Sequence, residues 1–262
     1  MRLVLMTSIQ TQLPAVALVD RLLADGHEIA LVVEARVKEV GAPRRLCQLR
    51  RQKLLGEKMI GDSPNRQAAL SAELTLRGVN ARTLTAICDE RGIKRIRARA
   101  LNDDMLRLEI EALGADLIIA LFEDSAIVDL ASAAANGVIC VCPHARPEFA
   151  GPDADEWALF FGGRPGVTLL HLPPWTETGE TALVVERQTV APGPTDLETV
   201  QGLVDYEMVE VAARAVQRLH ADGDLGGTPI ARARRPLGLM AEPLRQAVQR
   251  WVDTGRTPTA GA

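Results

Sequence analysis

At 262 residues, with 47% apolar and 24% charged residues but only 3% aromatics, the chain is long enough for one large domain whose core must be Leu, Val, Ile and Ala. A net charge of -4 argues against a broad basic surface for nucleic acid, and no apolar run approaches the length of a membrane span. The first residues lack a signal-peptide pattern, and the 4 cysteines (Cys47, Cys88, Cys140, Cys142) are too few for a disulfide scaffold, which points to a reducing cytoplasm.

In chain order, Arg2 to Met6 is a short apolar strand. Pro14 fits the first turn of a helix with apolar residues at Val16, Leu18, Val19, Leu22 and Leu23, ending near Gly26. Glu28 to Val33 is β-rich, which completes a βαβ unit. Arg36 to Lys58 carries eight Lys or Arg and two acids among leucines, and opens a helical insertion reaching to about residue 92. Its plain reading is a solvated helix face; the alternative is a patch for an anionic ligand or a partner. Lys94 to Arg97 is a strand, Asp103 to Leu113 a helix, and Ala115 to Leu121 a continuous apolar run suited to a strand buried on both faces. A helix over Ser125 to Ala135 leads to a strand beginning at Gly137. Further on, the pattern predicts a helix over 153–161, strands over 167–172 and 182–187, and a long helix over 199–219. Residues 223–238 read as a linker or arm, followed by a helix over 242–252 and a tail. This alternation implies an α/β fold with a doubly wound, mostly parallel sheet. Residues 1–222 form the main domain, and 223–262 form a linker, short helix and tail.

The segment with the most chemistry is Cys140-Val141-Cys142-Pro143-His144. On a strand, residues two apart share a face, so Cys140, Cys142 and an extension to His144 would point one way at the strand's C-terminal end. Open α/β sheets place ligands at that end. Three readings compete. The cysteines can be small buried hydrophobes. They can serve rewired catalysis, with His144 as base and a thiolate nucleophile. They can ligate zinc with His144, although alternate strand residues converge poorly on one ion, and no metal is expected.

Several motifs in order resemble the folate-dependent formyltransferases, the family of glycinamide ribonucleotide, methionyl-tRNA and sugar-nucleotide formyltransferases. Ala24-Asp25-Gly26-His27-Glu28-Ile29 is similar to the family's Ala-Gly-His-Glu-Val, and Ala115-Asp116-Leu117-Ile118-Ile119 to its Pro-Asp-Leu-Ile-Val. Gly137, Ile139, Pro147 and Gly151 fit the family core Gly-x-Ile-Asn-x-His-x-Ser-x-Leu-Pro-x-x-x-Gly without a gap. Gly151-Pro152 with Trp157-Ala158-Leu159, and Gly166-Val167-Thr168 with Thr178-Gly179, extend the match to about residue 220. The resemblance implies a formyltransferase-like, Rossmann-like fold.

It also places a site. Cys140 stands at the position of the family's Asn, Cys142 at that of its His, and Glu177 at that of its Asp, while His144 replaces a Ser. By resemblance, Cys140, Cys142, His144 and Glu177 are the candidate catalytic residues. Leu121, Phe122, Trp175, Thr178 and Gly179 would contact 10-formyltetrahydrofolate, and Ser8, Gln10 and Asp153 the acceptor. A thiol is a weak donor. Losing one oxyanion donor typically costs about 2.7–4 kcal/mol, and losing a general acid–base a further ~10²–10⁴-fold. The resemblance therefore implies transfer of a formyl or related one-carbon or acyl unit to an amine of a small biosynthetic intermediate, by altered chemistry. Two alternatives stand beside it: a non-catalytic relative acting as a binding or regulatory subunit, and a folate-independent thiol enzyme. No nucleic-acid or membrane partner is expected, and a homodimer remains open.

Overall fold

The computed structural model describes residues 1–8, 12–35, 72, 83–98, 100–122, 125–145, 153–174, 182–191, 196–230, 240 and 242–254. Most of the predicted insertion, and the tail beyond residue 254, lie outside them. Eight strands form one sheet: β1 (Arg2–Ser8), β2 (Glu28–Ala35), β3 (Lys94–Ala98), β4 (Leu117–Ala120), β5 (Val138–Cys142), β6 (Gly166–Leu172), β7 (Leu183–Thr189) and β8 (Thr228–Pro229). Their order is β3-β2-β1-β4-β5-β6-β7-β8. The first five run parallel, whereas β6, β7 and β8 are joined in antiparallel fashion.

Alternation along the strands explains the layers. Leu3, Leu5, Leu117, Ile119, Ile139 and Val141 point into one core. Val4, Met6, Ile118, Ala120, Val138, Cys140 and Cys142 point into the other. Both faces are apolar because both are covered, as a doubly wound parallel sheet requires. On the first face lie α1 (Gln12–Ala24), α2 (Leu84–Arg91) and the long α5 (Leu197–Asp222). On the second lie α3 (Asp104–Leu113) and the segment Ser125–Ala133. That segment, expected to be α-helical, is a 3-10 helix. It buries Ile127, Leu130, Ala131 and Ala133, with Ala134 just beyond it, and leaves Val128, Asp129 and Ser132 exposed. The last helices, α4 (Ala154–Phe160) and α6 (Glu242–Thr254), share a smaller core of Leu159, Leu197, Val200, Met240, Val248 and Val252.

Caps set several helix ends. Thr83 accepts from Ala86 N at 3.1 Å, Asp103 from Met105 N at 3.0 Å and Asp196 from Thr199 N at 2.7 Å. The Asp196 cap starts α5 at Leu197, two residues before the apolar stripe suggested. Residues 228–229, read from sequence as part of an arm, pair with β7 instead, and Ile230 N donates to Ala182 O at 3.0 Å. No described helix is long and apolar enough to cross a membrane.

Candidate functional site

The strand order reverses direction between β1 and β4, so the crevice of this sheet opens where the carboxyl ends of β1, β4 and β5 meet. Ser8 ends β1 and is 8% exposed. Leu121 follows β4, its N–H donating to Met6 O at 3.0 Å across to β1. Cys142 ends β5, and His144 sits in the turn beyond it.

At the opposite end of β5, the approach of β6 depends on Gly137. Its φ is +75°, and a Cβ there would lie 2.1 Å from the carbonyl oxygen of Leu172 and 2.9 Å from Pro173 C. Only glycine lets the end of β6 pass over the start of β5. Gly166, at the other end of that antiparallel pair, is similarly constrained, since a Cβ would meet Gln188 O at 2.2 Å. Gly137 thus permits the close approach of β6 to β5 and Gly166 that of β7 to β6, and in the β5–β6 pair Cys142 lies opposite Thr168 and Cys140 opposite Leu170.

Cys140 and Cys142 share a face, as the period of two requires, and that face is apolar: they pack with Met6, Ala120, Phe122 and Val138 and are 3% and 0% exposed. The alternation does not extend to His144. β5 stops at Cys142, and His144 N–H folds back to donate to Cys142 O at 2.8 Å. The carbonyl of His144 accepts from Thr168 Oγ1 at 2.9 Å. Thr168 is fully buried, so the main chain of His144 is gripped on both sides although the residue stands outside the strand.

Of the predicted site residues, the sheet brings Ser8, Phe122, Cys140, Cys142 and His144 to one edge. Phe122 shares the cysteines' cluster, whereas Leu121 points into the opposite core and is fully buried there. Asp153 sits at the N-terminus of α4 with φ 55°, a left-handed conformation, and makes no capping bond to that helix. Its carboxylate instead accepts from Met240 N at 2.8 Å. Gln10, Trp175, Glu177, Thr178 and Gly179 lie outside the described residues. Among the described residues, no group of three or more His, Cys, Asp or Glu side chains could hold a metal ion.

One placement escaped the sequence reading. Thr168 holds His144, and its signal was present in the Gly166-Val167-Thr168 motif, where a buried hydroxyl needs a partner. His171, also 8% exposed, lies at the far end of the β5–β6 pair, with Nε2 2.9 Å from Asn136 O. It belongs to the opposite edge of the sheet from His144.

No family model matches the sequence, and no curated protein matches it significantly. Solved structures do match. Glycinamide ribonucleotide transformylase 1 from Symbiobacterium toebii aligns at TM-score 0.51 and 17% identity, over 85% of this chain and 88% of that one. Phosphoribosylglycinamide formyltransferase from Anaplasma phagocytophilum aligns at TM-score 0.50 and 14% identity, over 90% and 95%. At such identities the likeness speaks for architecture, and it agrees with the order of motifs along the sequence: the chain has a formyltransferase fold.

Proposed function

We propose that this protein transfers a formyl or related one-carbon or acyl unit to an amine of a small biosynthetic intermediate, with 10-formyltetrahydrofolate as the donor. The observation that carries this reading is the gathering of Ser8, Phe122, Cys142 and His144 at the carboxyl edge of a formyltransferase fold. Phe122, Cys140 and Cys142 supply an apolar wall suited to the face of a ring. They do not supply a strong donor for a formyl oxygen, because a thiol is a weak one. His144 is the titratable ring at the end of β5, and the main-chain grip from Cys142 and Thr168 fixes where it starts. In this reading His144 takes the proton that the acceptor amine must lose, and Glu177 keeps the carboxylate that the resemblance assigns to proton relay.

The test is direct. The protein is titrated with tetrahydrofolate by calorimetry, then incubated with 10-formyltetrahydrofolate and a panel of small amines. Binding, with product that falls at least ~10²-fold in His144→Ala, is the expected result. Absence of both binding and product defeats the reading.

The burial of both thiols favours a second reading, a non-catalytic relative that keeps the fold to bind a ligand or partner. Folate binding without product from any amine would select it. The folate-independent thiol enzyme is the weaker alternative, since a nucleophile must be reachable and Cys142 has no exposed surface.

A further inference from the structure

Among the described residues, Asp153 alone combines a side chain with a positive φ, at 55°. Left-handed backbone is unfavourable for residues with a Cβ, although Asp and Asn tolerate it better than most. Asp153 also stands where α4 would take its N-terminal cap, yet its side chain makes no capping bond to that helix. Neither feature stabilises α4 on its own. A residue that keeps an unfavourable backbone and forgoes a cap is held from a distance, and strain of this kind collects at functional sites.

The distant partner is the C-terminal segment. Asp153 Oδ2 accepts from Met240 N at 2.8 Å. Met240 is 1% exposed and lies in the small core with Leu159 of α4, Leu197 and Val200 of α5, and Val248 and Val252 of α6. Two polar contacts run alongside. Buried Glu156 lies 3.5 Å from Arg245 Nε of α6, and Gln249 Oε1 of α6 accepts from Leu197 N at 3.2 Å. Met240 and α6 therefore join the first turn of α4 to the first turn of α5.

Both first turns stand at the edge that carries the site. The chain leaves β5 after Cys142, forms α4 and enters β6 at Gly166, and Cys142 lies opposite Thr168. α5 follows β7, whose last residue, Thr189, pairs with Gly166. The segment that meets Asp153 thus belongs to the carboxyl edge, although it comes last in the chain.

We infer that Asp153 is a positioning residue. Its carboxylate holds the start of α4 against the C-terminal segment, so that Met240 and α6 set the rim of the crevice, and it is not the charge that receives the acceptor amine. The inference rests on the formyl-transfer reading only in the activity arm of its test.

Amide exchange of the full chain, read residue by residue by NMR, tests the tether. Asp153→Ala removes the acceptor oxygen. Asp153→Gly removes it too, but adopts a positive φ without strain. Asp153→Asn keeps an acceptor oxygen and tolerates the backbone. The Met240 amide should exchange roughly tenfold faster or more in Asp153→Ala and Asp153→Gly, and Asp153→Asn should recover most of that protection. Should Asp153→Ala lose its native thermal transition, Asp153→Gly carries the comparison. A Met240 amide as protected in these variants as in the wild type overturns the inference. With transfer as the readout, the acceptor's KM should rise in Asp153→Gly by more than kcat falls, and Asp153→Asn should recover most of the loss. An Asp153→Asn variant as impaired as Asp153→Gly also overturns it, because the negative charge would then be what the acceptor meets. A wild type that transfers nothing sinks the formyl-transfer reading, and the exchange rates then decide the tether by themselves.

Discussion

The carboxyl ends of β2 and β5 lie on the same edge of one sheet and are built in opposite ways. At the end of β2, Glu34 is 7% exposed and bears a charge. Arg95 Nη1 donates to Oε1 at 2.7 Å, and Arg97 Nε to Oε2 at 2.9 Å. Burial alone would raise the Glu34 pKa, but the hydrogen bonds and charges of the two guanidinium groups outweigh it and hold the carboxyl below its ordinary range. At the end of β5, two thiols stand in an apolar cluster, and the polar hold is on the main chain of His144. A conspicuous charge cluster is therefore a structural unit, with each oxygen of the buried carboxylate satisfied by a guanidinium of β3. The less charged end is the one that stands at the crevice.

The largest expected effect tests whether the end of β5 is core or cleft. Replacing both thiols with the residue types the resemblance implies, Cys140→Asn with Cys142→His, forces an amide and a ring into an apolar cluster. Burying polar groups without partners and overpacking a close-packed core should together cost about 3 kcal/mol or more, read by urea denaturation. Wild-type stability in the double variant would show that space and solvent reach these positions. The contrast with the closed β2 end would then become one between a charged core and an open cleft.

Next in size is Glu34→Gln, which breaks the closed cluster. Hydrogen bonds to charged groups are worth about 1.5–3 kcal/mol, and a loss in that range is expected at neutral pH. The sign with pH follows from the lowered folded pKa. The contribution is complete above the ordinary glutamate range and is lost as pH falls through the folded value. Urea midpoints of wild type and variant should therefore converge in acid. A gap that persists in acid would mean that shape, and not charge, holds the end of β2.

A smaller effect separates the grip on His144 from its packing. Thr168→Val keeps the volume and removes the hydroxyl that meets His144 O, at a cost of about 1 kcal/mol. Thr168→Ser should recover most of it. If His144 carries the amine proton, Thr168→Val should also lower transfer by more than the stability loss explains, and Thr168→Ser should restore it. Equal activity in all three forms would remove placement of His144 from the account of the site.

Much of this architecture was legible because it follows from periodicity. Continuous apolar runs marked strands buried on both faces, and Gly137 marked the start of β5, though not the close approach of the Leu172 carbonyl that requires a glycine there. The edge of the sheet that carries the site could be placed because open α/β sheets bind ligands at the carboxyl ends of their strands. What was not legible depended on partners distant in sequence. Nothing local to Glu34 shows that residues 61 and 63 positions later close around it. Nothing local to Asp153 shows that its carboxylate meets Met240 N, 87 positions on. The period of two carried Cys140 and Cys142 to one face correctly. It could not show that the strand ends before His144, because that end is set by a backbone turn and by Thr168 on the neighbouring strand.

The finest test leaves stability untouched. Cys140, Cys142 and Cys88 are 3%, 0% and 1% exposed. Cys88 lies on the β2 side of the comparison, where burial raises its pKa, Arg95 opposes that rise, and Asp89 and Glu34 add to it. A buried thiol reacts only when the structure around it opens, so its labelling rate reports local opening. With iodoacetamide at neutral pH and mass-spectrometric readout, all three should label slowly, and denaturant should accelerate them together. The comparison sharpens if Cys142 labels well before Cys88: the end of β5 then opens independently of the end of β2, as a crevice that admits a ligand must. It breaks if Cys142 labels at the rate of a free thiol, because an apolar core cannot present a thiol to solvent. Slowing of Cys142 alone by tetrahydrofolate would join the two findings, since a ligand bound at that edge closes the opening through which the reagent enters.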